Sequence, residues 1–413
     1  MAAPEKEVAK SELPDPKEVA KTYAEVAQRA SKLLADHIQK QVKKGITAPA
    51  DELGIAQAFM DMMGKLLANP YRLAQAQMNL VWDYFSLWQH SMMRLTGVGA
   101  GSPVATPAKD DKRFKDEEWQ EHFLFDFMKQ SYLIAARHIH DTVSSVDGLD
   151  DQSQKKVNFY TRQYIDALSP SNFALTNPEV FRETVKSHGQ NLIKGLNNLL
   201  RDVEEGDGSL RVKMTDTSAF ELGRNVATTP GKVVFQTEMM QLIQYTPSTP
   251  DVSKRPLLIV PPWINKFYIL DLRDKNSYIK WCVDQGHTVF VISWVNPDER
   301  LAEKSFDAYL LEGTLAAVDA IVEQTGAKEI NAAGYCLGGT LLATTLAYMA
   351  GKKDKRLASG TFFTTMTDFA DPGELSVFLD EGQIASLEKK MFERGYLEGS
   401  EMAGTFNMLR AND

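Results

Sequence analysis

The sequence has 413 residues, a formal net charge of −9, a hydrophobic fraction of 43% and two cysteines. This is the composition of a globular protein with about two or three domains, and its acidic balance argues against broad nucleic-acid binding, which needs concentrated Lys and Arg. Two cysteines form neither a disulfide framework nor a metal cluster, so we expect a reducing compartment, most simply the cytoplasm.

The N-terminal residues do not look like a targeting signal. They mix charges with prolines and lack the apolar core of a signal peptide, and we expect residues 1–15 to be disordered. No uncharged apolar run approaches the roughly 18 residues that cross a bilayer. The sequence therefore predicts a protein with no transmembrane segment.

Residues 16–225 have the periodicity of a helical domain, because apolar positions recur at helical spacing through most of this range. The predicted helices cover Pro16 to Lys44 and residues 55–95, 117–140, 151–168 and 178–204. We expect the second helix to break at Pro70, and residues 97–110, rich in Gly, Pro and Ala, to form a flexible linker.

The segment 55–95 carries an unusual apolar and aromatic load, including Trp82, Phe85 and Trp88. One interpretation is a helix face packed on the rest of the domain. The other is a partly exposed surface that meets an apolar partner, such as a second protomer or a hydrophobic granule.

The composition changes near Ala227, where short β-like runs begin. The predicted strands cover residues 232–235, 239–245, 257–260, 288–294, 330–334 and 360–363. A helix is expected from Phe306 to Gln324, with Gly326 as its stop. Strands that alternate with helices favour an α/β domain with a parallel sheet, which we place at residues 226–370.

The segment Gly334-Tyr335-Cys336-Leu337-Gly338-Gly339 follows a predicted strand and precedes a predicted helix. Strand, tight Gly-x-Cys-x-Gly turn and helix are the order of a nucleophile elbow, which raises the nucleophile at the carboxyl end of a sheet. There the helix N-terminus would stabilise a thiolate and a developing oxyanion. The alternative is a buried structural thiol in a glycine turn, whereas Cys282 fits ordinary helix packing.

A second apolar strand, residues 257–260, ends in Pro261-Pro262-Trp263-Ile264. In the elbow arrangement the loop after such a strand gives one backbone N–H to the oxyanion hole, and the residue after the nucleophile gives the other. By position the donors are Trp263 or Ile264, together with Leu337. The alternative is a plain turn between strand and helix.

These motifs resemble those of the polyhydroxyalkanoate synthases, most closely the class I type. The segments that carry the resemblance are Thr228 to Phe235, Pro261 to Leu272, Gly286 to Pro297, Gly334 to Gly339 and Thr364 to Phe369. The resemblance implies an α/β-hydrolase fold, incomplete at the C-terminus and preceded by an all-helical N-terminal domain, with residues 371–413 as the start of a cap. It also implies a homodimer that binds (R)-3-hydroxyacyl-CoA and lies at the surface of cytoplasmic polyester granules.

A cysteine suits this chemistry because attack on a thioester gives another thioester, which stays activated for a hydroxyl of the next acyl unit. The seven histidines all precede Cys336, although the base of this fold follows the nucleophile. Asp368 and Asp371 come too early for the family's catalytic Asp. We therefore expect a truncated chain whose catalytic Asp and His lie beyond Asp413, and which is inactive as given.

The leading hypothesis is an acyltransferase that polymerises (R)-3-hydroxyacyl-CoA through a Cys336 thioester and releases coenzyme A. The alternatives are a cysteine-type esterase or depolymerase, and an inactive granule-binding fragment. No phosphate-binding glycine fingerprint or metal-ligand spacing occurs, so we expect neither cofactor nor metal.

Overall fold

The computed structural model describes Gln28 and residues 54–97, 101–206, 210 and 212–409. The expected disordered tail, and apart from Gln28 the predicted helix from Pro16 to Lys44, lie outside the described residues. The chain divides into two compact units. Of the described residues, the helical unit comprises those up to residue 214 together with residues 376–383, and the sheet unit comprises residues 215–375 and 384–409.

The described part of the helical unit up to residue 214 contains seven α-helices. They are α1 (Ile55–Leu67), α2 (Pro70–Leu95), α3 (Glu118–Glu121), α4 (Phe123–Ser144), α5 (Asp151–Ala167), α6 (Pro178–Lys186) and α7 (Gln190–Glu205). The predicted break at Pro70 is confirmed. Asn69 caps α2 by accepting from the Arg72 amide, and Pro70 takes the first helical position, where its missing N–H costs nothing.

Two predicted helices are each divided in the structure. The helix predicted over 117–140 is interrupted at His122, whose ψ of 121° is extended. The helix predicted over 178–204 is interrupted at His188 and Gly189, which both have positive φ, 50° and 84°. Two residues in the left-handed region cannot continue a right-handed helix, so a new helix, α7, begins with Gly189 as its N-cap.

Some of the large apolar side chains of α2 are buried and others are exposed to solvent. Leu87 is fully buried and packs with Ile134 of α4. In contrast, Trp82, Phe85 and Trp88 are 66%, 46% and 54% exposed. We call these three residues the aromatic face of α2. Among the described residues, no helix is both long enough and apolar enough to cross a membrane.

The sheet unit is built on six strands in the order β1-β2-β4-β3-β5-β6. The strands are β1 (Gly231–Gln236), β2 (Met240–Tyr245), β3 (Leu257–Val260), β4 (Val289–Trp294), β5 (Ile330–Tyr335) and β6 (Leu357–Phe363). The expectation of a parallel sheet holds from β4 to β6. β2 pairs antiparallel with both β1 and β4, because only three residues separate β1 from β2, too few for a parallel crossover.

Helices cover both faces of the parallel strands. The helices of this unit are α8 (Tyr278–Asp284), α9 (Phe306–Ala308), α10 (Ala316–Thr325), α11 (Leu337–Gly351), α12 (Glu381–Arg394, whose first residues count with the helical unit) and α13 (Gly399–Leu409). α10 and α11 pack on one face of the sheet and α8 on the other. The mixed α/β arrangement agrees with an α/β-hydrolase-like fold.

The predicted helix from Phe306 to Gln324 contains an irregular stretch. Tyr309–Leu315 is π-helical and lies between α9 and α10. α10 then ends at Gly326, which has φ 69° and is the expected stop.

The compact units differ from the expected domains in two respects. The helical unit ends at residue 214 rather than 225, and residues 376–383, expected within the start of a cap, pack with it. Gln152 donates to the Ser376 carbonyl at 2.7 Å, and the Lys156 ammonium pairs with Asp380 at 2.5 Å. We call residues 376–383 the clip.

Candidate active site

Cys336 stands at the turn between β5 and α11. Its φ of 54° and ψ of −126° are rare for a residue with a side chain, and such a strained turn is the feature that lifts the nucleophile of an elbow. The residue is half-buried, so its thiol is not sealed inside the core. The structure therefore disfavours the alternative of a fully buried structural thiol.

The three glycines of the elbow allow backbones to approach more closely than any side chain would permit. A Cβ on Gly334 would lie 2.4 Å from the Cα of Gly339, and one on Gly338 would lie 2.1 Å from the Val260 carbonyl oxygen. A Cβ on Gly339 would lie 1.9 Å from Oγ1 of Thr365. The N-terminus of α11 is thereby pressed against β5, the end of β3 and the loop after β6.

The two segments expected to supply oxyanion donors leave the same edge of the sheet. β3 and β5 are parallel neighbours, and Val260 pairs with Gly334. Leu337 is the first residue of α11, and amides of a first helical turn have no acceptor within the helix. Trp263 is half-buried and Ile264 is exposed on the loop after β3. Their role as oxyanion donors stays a prediction.

Aromatic packing fixes the loop after β3. The Trp294 indole donates to the Pro261 carbonyl at 2.8 Å. The Trp263 ring lies 4.9 Å from the Tyr309 ring and 6.3 Å from the Trp294 ring, centroid to centroid. A Cβ on Gly313 would lie 2.5 Å from the Trp294 ring, so the π-helical stretch can fit only with glycine there. Sequence analysis missed this support, although a glycine inside a helical pattern is a signal of close packing.

The histidine of the sheet unit is remote from Cys336. Among the described residues of that unit the one histidine is His287, which precedes β4, whereas Cys336 follows the parallel strand β5. The two residues thus lie at opposite edges of the sheet, roughly 20 Å apart for six-residue strands. His287 is therefore not the base for this thiol, in agreement with its predicted structural role.

The other described histidines, His90, His122, His138, His140 and His188, belong to the helical unit. There the His138 ring lies 2.6 Å from Asp83 and the His90 ring 3.8 Å from Asp126. These contacts join helices α2 and α4.

Asp368 and Asp371 follow β6, and each carboxylate accepts a hydrogen bond from a backbone amide of its own turn. Asp368 accepts from the Ala370 amide at 3.0 Å and Asp371 from the Gly373 amide at 3.1 Å. Both are exposed. These bonds account for the two carboxylates as turn formers, so the described residues of the sheet unit bring no His–Asp pair to Cys336.

Cys282 has the surroundings of a packing residue. It is 1% exposed on α8 and lies in the apolar cluster on one face of the sheet. Burial raises the pKa of its thiol, which opposes formation of a thiolate. Of the two cysteines, Cys336 is the candidate nucleophile.

Comparison with known proteins identifies the family. Residues 110–282 match the family model described as "Poly-beta-hydroxybutyrate polymerase (PhaC) N-terminus". The chain is 46% identical to a poly(3-hydroxyalkanoate) polymerase subunit PhaC of Rhizobium etli, over 97% of this chain and 64% of that protein. It is 51% identical to a poly(3-hydroxyalkanoate) polymerase of Methylorubrum extorquens, over 84% of this chain and 57% of that protein.

A more distant relative extends the same relationship. The PhaC polymerase subunit of Cupriavidus necator is 38% identical, over 86% of this chain and 59% of that protein. The chain thus spans 57–64% of the length of these relatives. The matched segments include the elbow, the loop after β3 and much of the helical unit, and the chain belongs to the poly(3-hydroxyalkanoate) polymerase family.

Proposed function

We propose that this chain carries the nucleophile of an acyltransferase that polymerises (R)-3-hydroxyacyl groups from coenzyme A thioesters. The observation that carries the proposal is the position of Cys336, a half-buried thiol at φ 54° between a parallel strand and the N-terminus of α11. The names of the relatives support the same reaction class.

The reaction proceeds in two transfers. The Cys336 thiolate attacks the thioester carbonyl, the bond from carbonyl carbon to the coenzyme A sulfur breaks, and coenzyme A leaves as a thiolate that takes up a proton. The hydroxyl of another acyl unit then attacks the Cys336 thioester. An oxoester forms, the hydroxyl proton leaves to a base, and Cys336 is released as a thiolate.

The amides near the elbow suit the oxyanion of each tetrahedral intermediate. The Leu337 N–H points from the first turn of α11, and the Trp263 or Ile264 N–H is the second donor in this proposal. Preorganised donors of this kind stabilise charge that develops in the transition state, and removing one typically costs about a hundredfold or more in rate.

The described residues of the sheet unit place no histidine beside Cys336, so the base is not among them. We propose that deprotonation requires an Asp and a His from outside the described residues of this unit, and that the 413-residue chain alone turns over poorly. No cofactor enters the reaction, since the coenzyme A thioester is itself the substrate.

The test replaces Cys336 with Ala in a complete polymerase that contains this sequence. The variant should form no polyester from (R)-3-hydroxybutyryl-CoA, because no covalent thioester can form, whereas Cys282→Ala should retain activity. Polymer made by the Cys336→Ala protein would refute the proposal. Release of free hydroxy acid without polymer by the unmodified protein would instead establish the esterase or depolymerase alternative.

We further propose that the protein acts as a homodimer at the surface of cytoplasmic polyester granules. The support is the aromatic face of α2, where three large rings are exposed on one helix. Exposed apolar patches of this kind usually mark contact with an apolar partner. The same face would serve a granule-binding fragment without catalysis, which remains the alternative if the acyl-transfer test fails.

A further inference from the structure

The last residue of β6 and the loop that follows it, residues 363–366, contact the elbow, and we call this segment the elbow latch. The Cys336 amide donates to the Phe363 carbonyl at 3.0 Å. Three residues further on, Met366 presents its carbonyl to the Thr340 hydroxyl, which donates to it at 2.7 Å. The latch is therefore bonded to the elbow at both of its ends.

The middle of the latch fills the space that a glycine of the elbow leaves open. The Thr365 hydroxyl lies 1.9 Å from the position of a Cβ on Gly339, and it donates to the Phe363 carbonyl at 3.2 Å. Thr364 has φ 43°, a left-handed conformation that is strained for a β-branched residue. Such a conformation persists only where surrounding contacts fix it.

The Thr340 hydroxyl is used differently from those of the next threonines on the same helix. The Thr344 hydroxyl donates to the Thr340 carbonyl at 2.9 Å, and the Thr345 hydroxyl donates to the Leu341 carbonyl at 2.8 Å. A bond to the carbonyl four residues earlier is common for a threonine in a helix. Thr340 instead bonds across to Met366, 26 residues away in sequence.

We propose that Thr340 is a positioning residue for Cys336 and that it acts through the elbow latch. The Thr340 hydroxyl fixes the Met366 carbonyl by a hydrogen bond. Because the latch is short, this bond also restricts Phe363. The Phe363 carbonyl in turn accepts a hydrogen bond from the Cys336 amide. Cys336 is thereby kept at its strained φ, with its thiol presented beside the first amides of α11. The importance of the Cys336 thiol rests on the proposed function. The contacts of the elbow latch are observed independently of that function.

The test measures the reactivity of Cys336 in the full chain, without any thioester substrate. The rate of alkylation by iodoacetamide is followed on the peptide that contains Cys336, and the buried Cys282 serves as an internal reference. Thr340→Val removes the hydroxyl and keeps the shape of the side chain. We expect alkylation of Cys336 to slow about fivefold, the factor that corresponds to the net contribution of one hydrogen bond.

Two variants separate positioning from general stability. Thr340→Ser retains the hydroxyl and should restore the rate, and Thr344→Val removes a hydroxyl one turn further along α11 and should leave the rate unchanged. An unchanged or faster rate in Thr340→Val, an equal loss in Thr344→Val, or no rescue by serine would overturn the proposal. If the valine variant misfolds, Thr340→Ala repeats the test with the same expected result.

The outcome is independent of the acyl-transfer test. A complete polymerase that still makes polymer without Cys336 would refute the proposed function and leave the latch measurement standing. Normal loss of polymerisation in Cys336→Ala, with unaltered alkylation in Thr340→Val, would refute the latch alone.

Discussion

Single atoms decide the geometry of the elbow, and Gly338 is the sharpest case. A Cβ there would lie 2.1 Å from the Val260 carbonyl oxygen and 2.6 Å from the Pro261 carbonyl carbon. Both neighbours are backbone, at the end of β3 and in a loop fixed by Trp294, so neither can yield easily. Gly338→Ala should destabilise the protein by about 1–3 kcal/mol or more, as overpacking does.

A matched control is available on the same helix. Gly351, the last residue of α11, has open space around its Cβ position, so Gly351→Ala should be neutral or slightly stabilising, by at most about 1 kcal/mol. Urea denaturation measures both variants. Equal stability of Gly338→Ala and the unmodified protein would mean that α11 does not lie as close to β3 as described.

At the scale of elements, strands and most helices follow from local pattern, because continuous apolar runs and helical periodicity are themselves local. β3 was predicted at its observed bounds, 257–260, and the elbow was found from glycines around Cys336. The break at His122 was not predicted, since histidine does not signal a break, whereas the break at His188 had a signal in Gly189 that the helical periodicity on both sides obscured. The latch and the clip depend on partners far away in sequence, which periodicity cannot reveal.

The contacts that dock the clip include an ion pair, an aromatic contact and the hydrogen bond from Gln152 to Ser376. The Lys156 and Asp380 side chains are 8% and 22% exposed, and Phe378 packs edge-on against Phe159 at 5.5 Å. Asp380→Asn would remove the carboxylate that pairs with the largely buried Lys156 ammonium, which should destabilise the docked clip. Hydrogen exchange of residues 376–383 should accelerate.

The clip should also respond to acid. Partial burial alone would raise the pKa of Asp380, but bonds from Lys156 and Gln383 outweigh it and hold the pKa below its ordinary value of 3.8. A lowered folded-state pKa means that this stabilisation is present above pH 3.8 and is lost as the pH falls through the folded value.

Asp368→Asn, at an exposed turn, is the control for the Asp380→Asn variant. Unchanged exchange in Asp380→Asn would show that the pair does not secure the clip.

At the scale of the whole molecule, the aromatic face of α2 predicts an apolar partner. Replacing Trp82, Phe85 and Trp88 together with Ser should reduce co-sedimentation with polyester granules at least several-fold, because three large exposed rings would no longer be available for burial. The three rings are about half exposed, so loss of granule binding should exceed what a fall in melting temperature explains. Tyr71→Ser, also exposed on α2 but about three helical turns before Trp82, is the control. Undiminished co-sedimentation of the triple variant would contradict granule binding through α2.

The proposed function requires that the Cys336 sulfur receives the acyl group. Incubation of a complete polymerase that contains this sequence with (R)-3-hydroxybutyryl-CoA, followed by acid quenching and peptide mass spectrometry, measures this transfer directly, and it requires only the first half of the reaction. We expect a hydroxybutyryl thioester on the peptide containing Cys336, none on the peptide containing Cys282, and loss of the adduct in Cys336→Ala. Acyl transfer to another residue, with Cys336 unmodified, would contradict it.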